Sequence, residues 1–381
     1  MALLERTFFS LTSKLNFKGM RHILIPDTPT IVIPVRGAKQ KYHPDSFIGF
    51  RVEPRENHNR QYVSHPLIYK DADPAPRFMD ARVRAILKDL TGCDHSKVFR
   101  HRALLSISAP EIVFFTDEQL KIAQNDAKIK ADKLLSMPPV VKVRAEEVQD
   151  ISFDPALQGI MPNFKIVFTD ISLGIPDNKR IIVVRENSGK LRHANGAERQ
   201  RMNEIYNPRK GRKHYVSELF TAKCLPDVLA RGQYEFVLDR ACLQFEPDEP
   251  EYQSVVAYVY EALDKKQHYD SLLSTRHYGP MLFFLVWHKC LNNFLEHHLM
   301  AGRLDVASQV VKLYCLLHQK SDVAKAMTDF RDPMHVVQTF VSLECMDTSA
   351  RVQLALKQCK ELLRSQQQVE QNVAAALGQS S

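Results

Sequence analysis

The chain has 381 residues, 44% of them apolar and 25% charged, which is typical of a globular protein with more than one domain. Its longest apolar run, Pro280 to Trp287, is far shorter than the ~18 residues that a bilayer span requires, so the sequence predicts no membrane helix. The formal net charge is +8, from 52 basic and 44 acidic residues. The seven cysteines are scattered and odd in number, so we expect no disulfide framework and a reducing compartment.

The N-terminal part of the chain predicts targeting followed by an arm. Residues 1–24 carry four basic residues and one acid without a continuous apolar core, which predicts a mitochondrial presequence; an ordinary amphipathic or disordered terminus is the alternative. Residues 25–76 contain eight of the twenty prolines and predict an extended arm laid on a partner, disordered until bound. Only Thr30 to Val35 has the pattern of a strand.

Two helices are predicted next, at the start of a segment spanning residues 77–214. Apolar residues recur at helical spacing from Phe78 to Leu90, and Gly92 is placed to cap the C-terminus. Thr116 and Gln119 form a capping-box pattern for a second helix that reaches Ser136. Its narrow apolar seam consists of Leu120, Ala123, Ala127, Ala131 and Leu134.

A small antiparallel meander follows in the middle of the chain. Phe164 to Thr169 alternates with a period of two, and the β-branched run 181–184 predicts a strand covered on both faces. Pro176-Asp177-Asn178 between them favours a hairpin turn. A second turn at 187–189 leads to a short third strand, Lys190 to His193.

The rest of the chain predicts helices. One runs from Ala197 to Tyr206 before Pro208, and residues 215–365 predict an irregular antiparallel helical array. The tail, residues 366–381, is polar and predicted to be flexible. The expected fold class is therefore α+β, mainly α, with a small central meander. Within the array, helices are predicted over 250–263 and 277–298, around 307–314 and 336–341, and over 352–363.

The charge excess is concentrated in one window. From Lys179 to His214 there are 11 Lys and Arg against 3 Glu, a local net of +8, so the remaining 41 bases and 41 acids cancel. Concentrated positive charge beside a sheet favours a polyanion with phosphates along a backbone. A solvated basic face is the alternative. The candidate RNA-binding residues are Lys179, Arg180, Arg185, Lys190, Arg192, Arg199, Arg201, Arg209, Lys210, Arg212 and Lys213.

Aromatic residues in or just after this window offer a second mode of binding. Tyr206, Tyr215 and Phe220 are candidates for stacking on unpaired bases, although packing inside the protein explains them as well.

No catalytic constellation is found in the sequence. Phosphate-binding loops, nucleophile elbows and metalloprotease motifs are all missing, so we expect no enzyme activity, no cofactor and no small-molecule substrate. An acidic cluster at 246–251 fits charges at a helix start better than a cation site. Cys315 with His318, and His288 with Cys290, have only half of a zinc spacing, so no metal site is expected.

Several long stretches carry a family resemblance. They are KIVFTDISLGIPDNKRIIVVRENSGKLRHANGAERQRMNEIYNPRKGRK, FEPDEPEYQSVVAYVYEALDKKQHYDSLLSTRHYGPM, FMDARVRAILKDLTG and LLSMPP. Together they resemble the animal mitochondrial small-ribosomal-subunit protein twenty-two family, from about Phe78 to Leu363. The resemblance implies a non-catalytic ribosomal component in the mitochondrial matrix. Its partners would be small-subunit rRNA and neighbouring ribosomal proteins, and the family supplies no catalytic residues.

Two hypotheses of different classes follow. The first is a ribosomal scaffold in which the basic meander and loop bind rRNA phosphates and the helical C-terminal half packs on protein neighbours. The second is a chain that acts off the ribosome, as a helical RNA-binding adaptor or an RNA-processing enzyme. A main pool away from ribosomes, or an RNA-cleaving or RNA-modifying activity, would distinguish the second from the first.

Overall fold

The computed structural model describes residues 30–31, 62–100, 112–145, 149–158, 165–172, 174–177, 179–213, 216–327, 330–344 and 350–378. The strands are β1 Thr30–Ile31, β2 Asp150–Phe153, β3 Lys165–Thr169, β4 Ile182–Arg185 and β5 Lys190–His193. The helices are α1 Ala75–Phe78, α2 Ala81–Thr91, α3 His95–Val98, α4 Asp117–Leu134, α5 Gly196–Tyr206, α6 Leu225–Ala230, α7 Tyr234–Gln244, α8 Pro250–Lys266, α9 Tyr278–Trp287, α10 Asn292–Met300, α11 Leu304–Leu317, α12 Asp322–Ala326, α13 Pro333–Glu344 and α14 Ala350–Gly378. The predicted fold class, α+β and mainly α, is confirmed.

The chain divides into two compact units. Unit 1 comprises Met1–Asn59 and Ala145–Lys210, and unit 2 comprises Arg60–Arg144 and Gly211–Ser381. This division differs from the predicted one, which grouped residues 77–214. The helices before the sheet belong to unit 2, because the apolar face of α2 is buried in the same core as α9.

Unit 1 is a sheet with one helix on it. The strand order is β1-β3-β4-β5-β2; β1 pairs with β3 in parallel, and the other neighbours are antiparallel. The predicted meander corresponds to β3, β4 and β5, whereas β2 lies outside the predicted strands. Val167 pairs with Val184, and both are buried together with Ile182 and Met202 of α5 in a small core.

One expectation about the sheet is wrong. The run 181–184 was predicted to be covered on both faces, yet Ile182 and Val184 are fully buried while Ile181 is 64% exposed. Phe168, on the strand beside it, is 42% exposed. A β-branched run favours a strand but does not reveal how many of its faces are covered.

Helix α5 begins with a complete capping box. Asn195 accepts a hydrogen bond from the Glu198 amide at 2.8 Å, and the Glu198 carboxylate accepts one from the Asn195 amide at 3.0 Å. The predicted helix 197–206 is thereby confirmed, with its first residue at Gly196.

Unit 2 is a helical body built around α9. Every residue from Tyr278 to Val286 is buried, so this helix has no polar face. The predicted single helix 277–298 is wrong, since the chain breaks between α9 and α10. Lys289 takes a φ of 58°, and the Cys290 amide donates to the Leu285 carbonyl at 2.8 Å. This left-handed helix end uses no glycine, so the sequence carried no signal for it.

Towards both ends of the chain, described residues are more ordered than the sequence predicted. Residues 366–381 were predicted as a flexible tail, but α14 continues to Gly378. The presequence prediction for 1–24 and most of the arm prediction for 25–76 lie outside the described residues. In the described part of that arm, Val63 and Tyr69 are buried in the unit 2 core, so this part is not an extended arm. In the part of the chain that the structure describes, no helix has the length and apolarity of a membrane span.

Candidate nucleic-acid interface

The eleven predicted RNA-binding cations are distributed over both units. Nine, from Lys179 to Lys210, belong to unit 1, and Arg212 and Lys213 belong to unit 2. The basic window is continuous in sequence, but its side chains belong to two units and are therefore described as two separate sets.

Two arginines of unit 1 shape the turn between β3 and β4. The Arg180 guanidinium, 4% exposed, donates to the carbonyls of Asp170 at 2.8 Å, Ser172 at 2.9 Å and Ile175 at 2.8 Å. Arg199, on α5, donates to the Arg180 carbonyl at 2.6 Å. These bonds satisfy backbone groups that the sheet leaves unpaired, so both arginines act as internal supports of the turn.

The same turn presents cations to solvent. Lys179 is exposed at its tip, and the Arg209 guanidinium lies 2.8 Å from the Asp177 carboxylate while keeping 44% of its side chain exposed. Lys210, next in sequence, is exposed as well. We call Lys179, Arg209 and Lys210 the basic corner. The Asp177–Arg209 pair joins the turn to the segment after α5, and Lys179 and Lys210 each lie within two residues of that pair in sequence.

Arg192 is the most heavily bonded cation of the set. Its side chain is 8% exposed and donates to Glu186 at 2.7 Å and to Glu198 at 2.8 and 2.9 Å. The bond to Glu198 is the main reason why the pKa of Arg192 is raised. Burial acts to raise the pKa of Glu198, but the hydrogen bonds from Arg192 and from the Asn195 amide outweigh it and lower that pKa. Arg192 therefore ties β5 to the start of α5 and is not available to a phosphate.

The other three cations of unit 1 are intermediate cases. Arg185 donates to the Gly189 carbonyl at 2.9 Å, Lys190 lies 2.8 Å from the Asp150 carboxylate, and Arg201 lies 3.8 Å from Glu204. Lys190 keeps 39% of its side chain exposed and Arg201 25%. The charge window also missed Lys165 on β3, 3.8 Å from Glu198, because it began only after the hairpin turn.

In unit 2, neighbouring cations have opposite environments. Arg212 is 8% exposed, donates to the Gln244 carbonyl at 2.7 Å, and pairs with Glu246 at 3.2 Å and Glu249 at 3.6 Å. Lys213 is exposed. Arg212 thus accounts for part of the acidic cluster at 246–251, and Arg144 pairs with Asp248 of the same cluster.

The sequence itself indicates the family. The pattern of the mitochondrial 28S ribosomal protein S22 family matches residues 76–319. The small ribosomal subunit protein mS22 of Mus musculus is 34% identical over 337 residues, which is 86% of this chain and 91% of that protein. Its counterpart in Bos taurus is 35% identical over 287 residues, which is 75% of this chain and 79% of that protein.

This chain belongs to the S22 family. The predicted resemblance is confirmed, and the family match contains the whole basic window.

The aromatic candidates of this S22-family chain separate clearly. Phe220 is fully buried in the unit 2 core, and is therefore excluded as a stacking platform. Tyr215 lies outside the described residues. Tyr206, the last residue of α5, is 38% exposed and lies three residues before Arg209. It is the one candidate of the three whose ring the structure describes as accessible.

The half-spaced zinc candidates are explained by packing. His318 contacts the Val286 carbonyl at 2.9 Å, and Cys315 is a buried thiol whose pKa is raised to about 11 by burial. Within the described residues, no three His, Cys, Asp or Glu side chains are grouped so that they could hold a metal ion.

Proposed function

We propose that this chain is a structural component of the mitochondrial small ribosomal subunit and that the basic corner of unit 1 binds rRNA phosphates. The family relatives are named as proteins of the small ribosomal subunit. The observation that carries the RNA contact is the exposure of Lys179, on a turn that Arg180 and Arg199 hold in shape, together with Arg209 and Lys210, on the segment that the Asp177–Arg209 pair joins to that turn.

The support is physical. A phosphate backbone presents regularly spaced negative charge, and a cation on a rigid turn loses less entropy on binding it than one on a mobile loop. Such contacts position an RNA without reading its sequence. Removing one phosphate-binding cation reduces the steepness of log affinity against log salt by roughly 0.7 to 0.9. The proposed role is therefore in assembly, and it requires no catalytic group.

The first test is charge reversal at the basic corner. Lys179→Glu, Arg209→Glu and Lys210→Glu are combined in the full chain, and incorporation is followed by sedimentation of mitochondrial small subunits. Arg212 is left unchanged, because reversing a cation that pairs with two glutamates inside unit 2 would disturb folding.

A matched control keeps the total change in charge equal. Lys320→Glu, Lys357→Glu and Lys360→Glu alter three exposed lysines of unit 2. We expect the corner variant to leave the subunit fraction as salt is raised, while the control stays with it. Equal behaviour of the two variants would mean that only net charge matters, and the assignment of the corner would be wrong.

Nothing in the comparisons favours the alternative of an adaptor that acts off the ribosome. A chain found mainly in light fractions of the gradient, with the small subunits elsewhere, would contradict the proposed function.

A further inference from the structure

Unit 2 exposes a dense group of apolar side chains at the start of α4. Eight large apolar residues between Ile112 and Leu134 are exposed, among them Ile112 by 86% and Phe114 by 92%. Single exposed apolar residues are ordinary on protein surfaces, but a contiguous group of this kind marks an interaction site. We call residues 112–122 the apolar tip.

A capping box fixes the start of the helix within the apolar tip. The Gln119 amide donates to the Thr116 hydroxyl at 3.4 Å, and the Thr116 amide donates to the Gln119 side chain at 3.1 Å. This capping box starts the helix directly after the run Ile112 to Phe115. Phe115 directly precedes the N-cap residue Thr116, and Leu120 is the fourth residue of the helix. Apolar side chains at these two positions commonly pack together and form a hydrophobic staple. A preorganised surface binds with a smaller loss of conformational entropy.

Most of α4 is not covered by the described residues of its own unit. The helix has 18 residues, about 27 Å in length, yet Ala131 near its end is its one buried residue. Lys88 of α2 pairs with Asp132 at 2.9 Å, also near that end. Of the predicted seam, Ala131 is therefore buried and the two other alanines are half-buried, whereas Leu120 and Leu134 remain 44% and 46% exposed.

The charge of this segment argues for a protein partner and against RNA. Residues 112–134 contain four lysines and four acids, so their net charge is zero, 4 minus 4. Phosphate binding depends on excess positive charge, which the basic corner has and this segment lacks. Exposed Phe, Ile and Val side chains gain free energy only by entering a surface that is itself apolar.

We propose that the apolar tip docks into an apolar groove on a neighbouring protein of the small ribosomal subunit. This inference rests on the proposed function, and it assigns the protein contact of unit 2 to the helix before the sheet.

Site-specific photo-crosslinking identifies the occupant directly. A photoreactive phenylalanine replaces Phe114 in the full chain within assembled small subunits, and Phe236, a 55% exposed aromatic on α7, is replaced as the control. We expect position 114 to give a crosslink to one protein that position 236 does not give. The proposal would be overturned by a crosslink from position 114 to RNA, to this chain itself or to a second copy of it. It would also be overturned if position 114 gave no crosslink, or if both positions gave the same one.

A substitution tests whether the contact matters for assembly. Ile112→Ser with Phe114→Ser alters side chains that are 86% and 92% exposed, so the thermal unfolding of the free chain should not change. Incorporation into small subunits should fall at least about tenfold, because aromatic anchors dominate interface energies. Phe236→Ser is the matched control and should incorporate normally.

The outcomes separate this proposal from the one on which it rests. If the unaltered chain does not sediment with small subunits, the proposed function fails. If the unaltered chain does sediment there and the double variant sediments equally well, only the docking site is wrong.

Discussion

Removing the Arg192 guanidinium is the most informative perturbation of unit 1. The Arg192→Met change keeps the length of the side chain and removes three hydrogen bonds to Glu186 and Glu198, which are 32% and 17% exposed. Breaking a fully buried ion pair costs about 3 to 5 kcal/mol. Because both glutamates retain contact with water, we expect about 2 to 3 kcal/mol here. The small core of unit 1 cannot readily absorb such a loss.

Hydrogen exchange on the full chain measures this loss where it occurs. Amides of β4, β5 and α5 should exchange about 30 to 150 times faster in the Arg192→Met variant, the factor that corresponds to 2 to 3 kcal/mol. Amides of α9 in unit 2 serve as the internal control and should be unchanged. Unaltered protection in β5 would show that the ion pairs of Arg192 do not hold the sheet to α5, and the structural role assigned to it would be refuted.

Three further predictions concern single residues. Gly189 has a φ of +83°, and a Cβ at this position would lie 2.1 Å from the Asp154 carbonyl oxygen. Gly189→Ala should therefore destabilise unit 1 by about 2 kcal/mol or more, which would be measured as faster amide hydrogen exchange in β5. Unchanged exchange in β5 would contradict this prediction. Arg212→Ala should lower the free energy of unfolding of unit 2 in urea by about 2 to 4 kcal/mol. Lys320→Ala, at an exposed position of the same unit, should change it by less than about 0.5 kcal/mol, and equal effects of the two substitutions would refute the structural role of Arg212. Burial lowers the pKa of His298 from 6.5 to about 4, so the unfolded chain binds this proton more tightly than the folded chain does. The contribution of neutral His298 to the free energy of unfolding should therefore be fully present above pH 6.5 and should fall between pH 6.5 and 4. His298→Leu should flatten that part of the stability profile, and an unchanged slope would contradict the assignment.

The meander and α5 were accessible from sequence because their signals are local. Alternating residues in β3, a proline-containing turn and a capping residue each act within a few positions of the chain. The break between α9 and α10 was not accessible, since Lys289 adopts a left-handed conformation without the glycine that usually announces it.

The candidate site shows the same division between local and long-range information. Charge counting located the basic window, but it weighted Arg180, Arg192 and Arg212 equally with Lys179. The three arginines are buried because carbonyls or carboxylates from elsewhere in the fold surround them, and sequence spacing does not reveal such partners. Local net charge thus does not separate internal supports from exposed cations.

The exposed apolar tip illustrates a third kind of limit. Its capping box and apolar spacing were readable, and they predicted a helix with a buried seam. The described residues of unit 2 do not cover this apolar surface. A single sequence cannot indicate whether an apolar helix face is covered by its own chain. A well-formed helix with an uncovered apolar start is the expected appearance of a subunit taken out of an assembly.

The central claim is that the basic corner lies against rRNA, and ultraviolet crosslinking of intact mitochondrial small subunits tests it most directly. Mass spectrometry of the digested particle should find rRNA nucleotides attached to the peptides that contain Lys179 and the Arg209-Lys210 pair. Recovery of both peptides without nucleotide, while other basic peptides of the same chain carry it, would contradict the account.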